Sequence, residues 1–215
     1  MKAVVVAHGD VVPADGAHLD GADLVIAADG GALACERWGR VPSLVVGDVD
    51  SLGTAAIERV KAAGGRVEPH PAEKDASDTE LAVERAIASG ADEIVVLGAL
   101  GSPRLDHEIA NVLLLADVAY RGRTVRAVRG GTSVRALHGG DRLALAGLSG
   151  ETVTLLPVGG DADGVRTFGL RYALDGERLR FGRSRGLSNA VERAGASVSC
   201  ERGILLVIES ARGGA

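Results

Sequence analysis

The sequence predicts an α/β protein in two parts: a doubly wound, mostly parallel, Rossmann-like sheet, then a small antiparallel β-sandwich. Three observations carry that prediction. Over residues 1–130, short continuous apolar runs alternate with helix-like stretches. Such runs suit strands covered on both faces, and strand–helix–strand alternation implies right-handed crossovers within a parallel sheet. Over residues 131–215, short apolar runs recur with Gly- and Asp-containing turns and no convincing helix, the pattern of a small antiparallel domain. Finally, 215 residues with 46% hydrophobic and 25% charged content suffice for a buried core in one or two domains.

The first part places strands at 4–7, 24–28, 44–46, 94–97 and 125–128 and helices at 32–38, 54–63, 79–89 and 107–120. Gly39 and the pair Gly64-Gly65 sit where helix ends favour a residue free to adopt positive φ. Ser77-Asp78-Thr79-Glu80 is a capping-box pattern for the third helix. Strands of the second part fall at 133–137, 142–144, 152–156, 164–168, 178–181, 196–200 and 204–208, with Gly130-Gly131 at the junction.

Composition excludes several functions. The net charge of −5 offers no basic footprint for a nucleic-acid backbone. Only five residues are aromatic, too few for a base-stacking platform. Cys35 and Cys200 match no metal spacing and read as reduced, buried thiols. No run reaches the roughly 18 apolar residues of a membrane span, and the opening apolar run reads as a strand rather than a signal peptide. A cytoplasmic protein with neither membrane nor nucleic-acid partners is expected. Gly is abundant, 31 of 215 residues or about twice the average of roughly 7%.

Chemistry concentrates where the predicted strands end. Asp29 follows the second strand in Asp29-Gly30-Gly31. Asp48 and Asp50 follow the third, in Gly47-Asp48-Val49-Asp50-Ser51. Gly98, Gly101, Arg104, Asp106 and His107 follow the 94–97 strand, and Lys74-Asp75-Ala76-Ser77-Asp78 precedes the third helix. Open α/β sheets bind ligands outside the carboxyl ends of their strands, so these groups share one rim. Carboxylates that crowded need a cation, and hard oxygen ligands suit Mg²⁺ together with substrate phosphates. The neighbouring glycines let backbone N–H groups approach phosphates. Each Asp, taken singly, serves equally well as a helix cap or turn residue, but one cap per loop does not explain Asp48 and Asp50 together. His8, at the end of the first strand, is a weaker candidate for the same rim. No Walker A sequence, G-x-G-x-x-G or G-x-S-x-G is present.

In order and spacing, these motifs resemble those of the thiamine pyrophosphokinase (thiamine diphosphokinase) family, bacterial type. The resemblance extends to Gly186-Leu187-Ser188-Asn189 and to the final strand from Gly203. Val49 stands where the family carries an aromatic, Ser77 replaces Thr, Gly101-Ser102-Pro103-Arg104 is one residue longer than the usual G-G-R, and Ala190 follows Asn189 in place of Glu. No charged group of the four N-terminal motifs is lost.

The resemblance implies transfer of diphosphate from ATP to the hydroxyl of thiamine, giving AMP and thiamine diphosphate. It implies a nucleotide-binding catalytic domain at 1–130, a thiamine-binding and dimerisation domain at 131–215, and a homodimer. Mg²⁺ falls to Asp48, Asp50 and Asp78; phosphate clamping to Arg104 and Lys74; and proton acceptance to Asp78 or Asp106. Asp29, Gly30, Gly31, Lys74, Asp75, Ser77, Gly98, Gly101, His107, Ser188 and Asn189 are the expected binding residues. Two alternatives stay open: a pyrophosphokinase of the same fold acting on 6-hydroxymethylpterin, and a non-catalytic sensor of nucleotide or thiamine diphosphate.

Overall fold

The computed structural model describes residues 1–48, 53–71 and 73–211. The chain forms two compact units, Met1–Leu114 with Gly122–Gly130, and Leu115–Arg121 with the residues from Gly131 onward.

The first unit is a parallel sheet of β1 (Lys2–Val6), β2 (Leu24–Ala28), β3 (Leu44–Gly47), β4 (Arg66–Pro69), β5 (Glu93–Leu97) and β6 (Thr124–Arg129). Their order is β4-β3-β2-β1-β5-β6, and every pairing among them is parallel. The helices are α1 (Gly31–Arg37), α2 (Gly53–Ala62), α3 (Asp78–Ala88) and α4 (Leu105–Leu114). Val4, Val6, Val45, Val95 and Leu97 pack with Leu19, Cys35 and Val60 in one buried cluster. Each such side chain contributes about 1.5–3 kcal/mol of burial, which explains why the strands are apolar runs without alternation. At Gly31 the helix start closes onto the sheet, since a Cβ there would lie 1.9 Å from the Val6 carbonyl oxygen. Burial pushes the Cys35 thiol up to about 12, leaving it unreactive.

Sheet order reverses between β1 and β5. The crevice outside that switch point is where such sheets bind ligands. The loops after the two strands meet there, with Gly9 N–H donating to the Gly98 carbonyl at 3.0 Å.

The second unit is antiparallel throughout: β7 (Thr132–His138), β8 (Arg142–Ala144), β9 (Thr152–Phe168), β10 (Asp175–Leu179), β11 (Asn189–Ala190), β12 (Ser197–Ser199) and β13 (Arg202–Ser210). The runs expected at 152–156 and 164–168 are one strand. β9 pairs with β13 through its first half and with β10 and β12 through its second. The turn between the halves uses Gly159, whose φ of +71° strongly favours glycine. Leu155 from the first half and Val165 from the second share one core with Leu179, Val198 and Leu205.

Three further differences from the sequence reading have local causes. β4 escapes a hydrophobic scan because Arg66-Val67-Glu68-Pro69 is a charged edge strand, of the composition that keeps edges from pairing with other chains. The helix expected over 107–120 stops at Leu114; Asp117 then caps a separate 3₁₀ turn, accepting from Ala119 N–H at 2.8 Å. The 3₁₀ turn Pro13–Leu19 was not expected. Its Asp15 is 1% exposed and accepts from Val12 N–H at 2.9 Å and Gly130 N–H at 2.7 Å, fastening the β1–β2 connection to the end of β6.

Candidate active site

A cleft of about 550 Å³ opens at the carboxyl ends of the first unit's strands. It is lined by His8, Gly9 and Asp10 after β1, Asp29 after β2, Asp48 after β3 and Gly98 after β5. Lys74, Ser77, Asp78 and Thr79 contribute from the start of α3, and Ser102, Arg104, His107 and Asn111 from the start of α4. The sheet therefore collects groups that lie up to about a hundred positions apart in the chain onto one concave surface.

Local structure separates caps from site groups. Ser77 caps α3, its hydroxyl accepting from Glu80 N–H at 3.1 Å. That leaves Asp78 at the first helical position, where the helix dipole favours a negative charge. Asp29 is not the N-cap, because that position of α1 is Gly30. Asp29 instead holds a left-handed backbone, φ +48°, its N–H donating to the Val46 carbonyl at 2.8 Å. Such a conformation costs of order 1–3 kcal/mol and concentrates at functional sites. Its carboxylate lies 3.2 Å from His8 Nδ1.

Gly47 forms the floor between two acids. A Cβ there would lie 3.2 Å from the Asp29 Cβ and 3.1 Å from Asp78 Oδ1. Lys74 Nζ stands 2.9 Å from Asp78 Oδ1 and donates to the Pro71 carbonyl at 3.1 Å. The ion pair is misaligned for hydrogen bonding, so Asp78 Oδ1 is buried without a hydrogen bond among the described residues. A buried carboxylate oxygen left in that state favours a bound cation or donor. Among the described residues no group of three or more His, Cys, Asp and Glu forms a ready-made metal cage. Asp48 lines the cleft and Asp50 lies outside the described residues.

At the outer lip, Arg104 holds Asp106 through two parallel bonds, Nε to Oδ1 at 3.0 Å and a terminal nitrogen to Oδ2 at 2.6 Å. The guanidinium pulls the Asp106 carboxyl down to about 2. While so paired, Asp106 is a weak proton acceptor, and only Arg104 of the two lines the cleft.

Of the expected binding residues, Asp29, Lys74, Ser77, Gly98 and His107 thus join Asp48, Asp78 and Arg104 in the cleft. Gly30, Gly31, Asp75 and Gly101 do not line it. Gly30 lies under the His8 ring, Gly31 against β1 and Gly101 against Arg129, while Asp75 is exposed. Asp10, Ser102, Thr79 and Asn111 line the cleft without having been expected. For Asn111 a signal existed: it stands four residues after His107 on the same helix, hence on the same face.

Ser188 and Asn189 belong to the second unit. Ser188 adopts φ +56°, and its N–H donates to Thr154 Oγ1 at 3.0 Å. Asn189 is buried, accepting from Tyr172 N–H and Ala190 N–H, both at 2.9 Å, and donating to the Tyr172 carbonyl at 2.7 Å. Its amide is spent on holding this loop.

Comparison with known proteins matches both halves of the chain. The model of the thiamin pyrophosphokinase catalytic domain covers residues 17–127, and that of the thiamin pyrophosphokinase vitamin B1 binding domain covers residues 143–205. Thiamine pyrophosphokinase of Bacillus subtilis is 25% identical over 213 residues, spanning 98% of this chain and 99% of the relative. A thiamin pyrophosphokinase structure from Geobacillus thermodenitrificans is 27% identical with a TM-score of 0.82, covering 100% of this chain and 99% of that one. The crystal structure of the Bacillus subtilis protein, 24% identical, shares the fold at a TM-score of 0.87 over 99% of this chain and 100% of that one. Its two matched halves and its fold place the chain in the thiamin pyrophosphokinase family, as an enzyme of that kind.

Proposed function

We propose that this chain transfers diphosphate from ATP to the hydroxyl of thiamine, releasing AMP and thiamine diphosphate, in a Mg²⁺-dependent reaction. The observation that carries this reading is the cleft at the β1/β5 switch point. Carboxylates from three strand and helix ends and the cations Lys74 and Arg104 converge there, within the span of the catalytic-domain match.

The donor set fits Mg²⁺, which usually takes one or two carboxylates and completes its shell with water and substrate phosphates. Asp78, with its buried oxygen lacking a hydrogen bond, and Asp48 would hold it, and the motif adds Asp50. When bound, Mg²⁺ neutralises charge on the phosphate oxygens. The protein's own groups do the rest. Arg104 presents a fork suited to a phosphate and would exchange Asp106 for it. Lys74 supplies a point charge beside Asp78. Asp78 and Thr79 bring the start of α3 to the cleft wall, and a helix N-terminus favours an anion. The carboxylates left over favour a cationic acceptor such as thiazolium.

We assign catalysis to residues 1–130 and thiamine binding and dimerisation to residues 131–215, in a cytoplasmic homodimer. Among the described residues no helix is long and apolar enough to cross a membrane. Incubating purified protein with ATP and Mg²⁺ and either thiamine or 6-hydroxymethylpterin tests the acceptor. Thiamine is expected to give AMP without ADP, and the pterin none. Diphosphate transfer to the pterin alone would reassign the substrate, and ligand-induced stabilisation without turnover would indicate a sensor.

A further inference from the structure

We propose that His8 is a catalytic residue of this cleft, the proton acceptor for the attacking hydroxyl, with Asp29 as its positioning residue. The proposal rests on the diphosphate-transfer reading above.

Three observations converge on the imidazole. His8 stands at the carboxyl end of β1, beside the β1/β5 switch point, and lines the cleft with 61% of its side chain exposed. Its Nδ1 lies 3.2 Å from the Asp29 carboxylate, which is 15% exposed and carried on a left-handed backbone. A carboxylate on one ring nitrogen fixes the tautomer and leaves the other nitrogen with its lone pair. The ring also rests on Gly30. A Cβ at that position would lie 2.5 Å from Nε2 and 2.6 Å from both Cδ2 and Cε1. Near-equal distances to three consecutive ring atoms place Gly30 under the ring face rather than against the Nε2 edge. Among the described residues Nε2 has no hydrogen-bond partner. Any side chain at position 30 would displace the ring.

The other acids around the cleft are poorly placed for this task. Asp106 is bound by Arg104, which holds its carboxyl near 2. Asp78 is paired with Lys74 and, with Asp48, is assigned to the cation. Charged or titratable groups facing the site are Asp10 on the same strand end, Asp29 after β2, Asp48 after β3, Lys74 and Asp78 before and on α3, and Arg104 and His107 at α4. An imidazole oriented by a carboxylate is better placed to accept the proton than an Asp committed to a cation.

The step balances as follows. The acceptor hydroxyl oxygen forms a bond to the β-phosphorus of ATP. Its proton passes to His8 Nε2, giving an imidazolium paired with Asp29. The bond from the β-phosphorus to the α,β-bridging oxygen breaks, and AMP leaves with that electron pair. The imidazolium then returns its proton to solvent.

The test compares wild type, His8→Gln and Asp29→Asn with saturating ATP, Mg²⁺ and thiamine across pH 5.5–9. Wild-type kcat should fall on the acid side with unit slope as the imidazole is protonated. His8→Gln should lose that limb and about 10²-fold in kcat, with KM for both substrates within threefold and thermal stability unchanged. In metal-free protein, ¹⁵N NMR should show the His8 ring protonated at Nδ1, and Asp29→Asn should mix the tautomers. Retention of the acid limb with kcat within threefold in His8→Gln overturns the proposal, as does a loss confined to KM. If wild type itself makes no AMP from ATP and thiamine, the functional reading falls and takes this inference with it; normal wild-type turnover beside an active His8→Gln removes the inference alone.

Discussion

The two units treat charge in opposite ways. In the parallel unit, the cleft acids are held under tension: Asp29 on a left-handed backbone, and Asp78 beside a cation that does not align with its buried oxygen. In the antiparallel unit, the carboxylates Glu209 and Asp163 are each committed to two or more structural partners. Glu209 on β13 pairs with Arg135 on β7 and accepts from Ala146 N–H at 2.6 Å and Gly147 N–H at 3.1 Å. Asp163 on β9 lies between Arg178 and Arg202, at 2.5 and 3.2 Å. The contrast teaches that a carboxylate's partners, more than its burial, distinguish reaction chemistry from architecture.

Substitutions that remove one carboxylate from each unit should therefore fail in different ways. The largest stability loss is expected for Glu209→Ala, which leaves the half-buried Arg135 without its ion-pair partner and two backbone N–H groups unsatisfied. A cost of about 3–5 kcal/mol follows, visible as a lowered midpoint in chemical denaturation. Asp78→Asn should do the reverse, reducing kcat about 10²–10³-fold, comparable to losing one electrostatic contact to the transition state, while the denaturation midpoint holds. Were Asp78→Asn to unfold the protein and retain activity when folded, the distinction between the units would collapse.

Smaller effects sharpen it. Ser77→Ala removes the α3 cap and should cost about 1 kcal/mol, with kcat falling less than for Asp78→Asn because the hydroxyl is occupied by Glu80 N–H. The smallest effect concerns pH. Asp106 titrates below its ordinary range because Arg104 bonds it, so its favourable pairing is present above the ordinary carboxylate range and is lost as pH falls toward about 2. Carboxyl ¹³C shifts should show Asp106 ionised at pH 4, and Arg104→Met should move its titration upward. Protonation of Asp106 at pH 4 in wild type would contradict the bidentate pair.

Much of this arrangement is legible in the sequence because parallel strands buried on both faces must be apolar runs. β2 and β5 are visible for that reason, and Asp29, one residue beyond β2, and Asp48, one residue beyond β3, mark the cleft rim. What the sequence conceals depends on tertiary contact. β4 is hidden by its charges, and β9 by the glycines that let one strand bend through two pairings. Asp29 and Ser77 look alike as helix-start residues, yet only backbone geometry shows that Ser77 is the cap and Asp29 is not. Asn189 carries a family-like motif, and only its three hydrogen bonds show the amide committed to its own loop.

The most direct test of diphosphate transfer in the cleft is the fate of isotope in ATP. With thiamine, Mg²⁺ and ATP labelled separately at the α- or β-phosphorus, β-label should appear in thiamine diphosphate and α-label in AMP, in equal molar amounts. Label from the β-position recovered in ADP, or no labelled thiamine product, would contradict it.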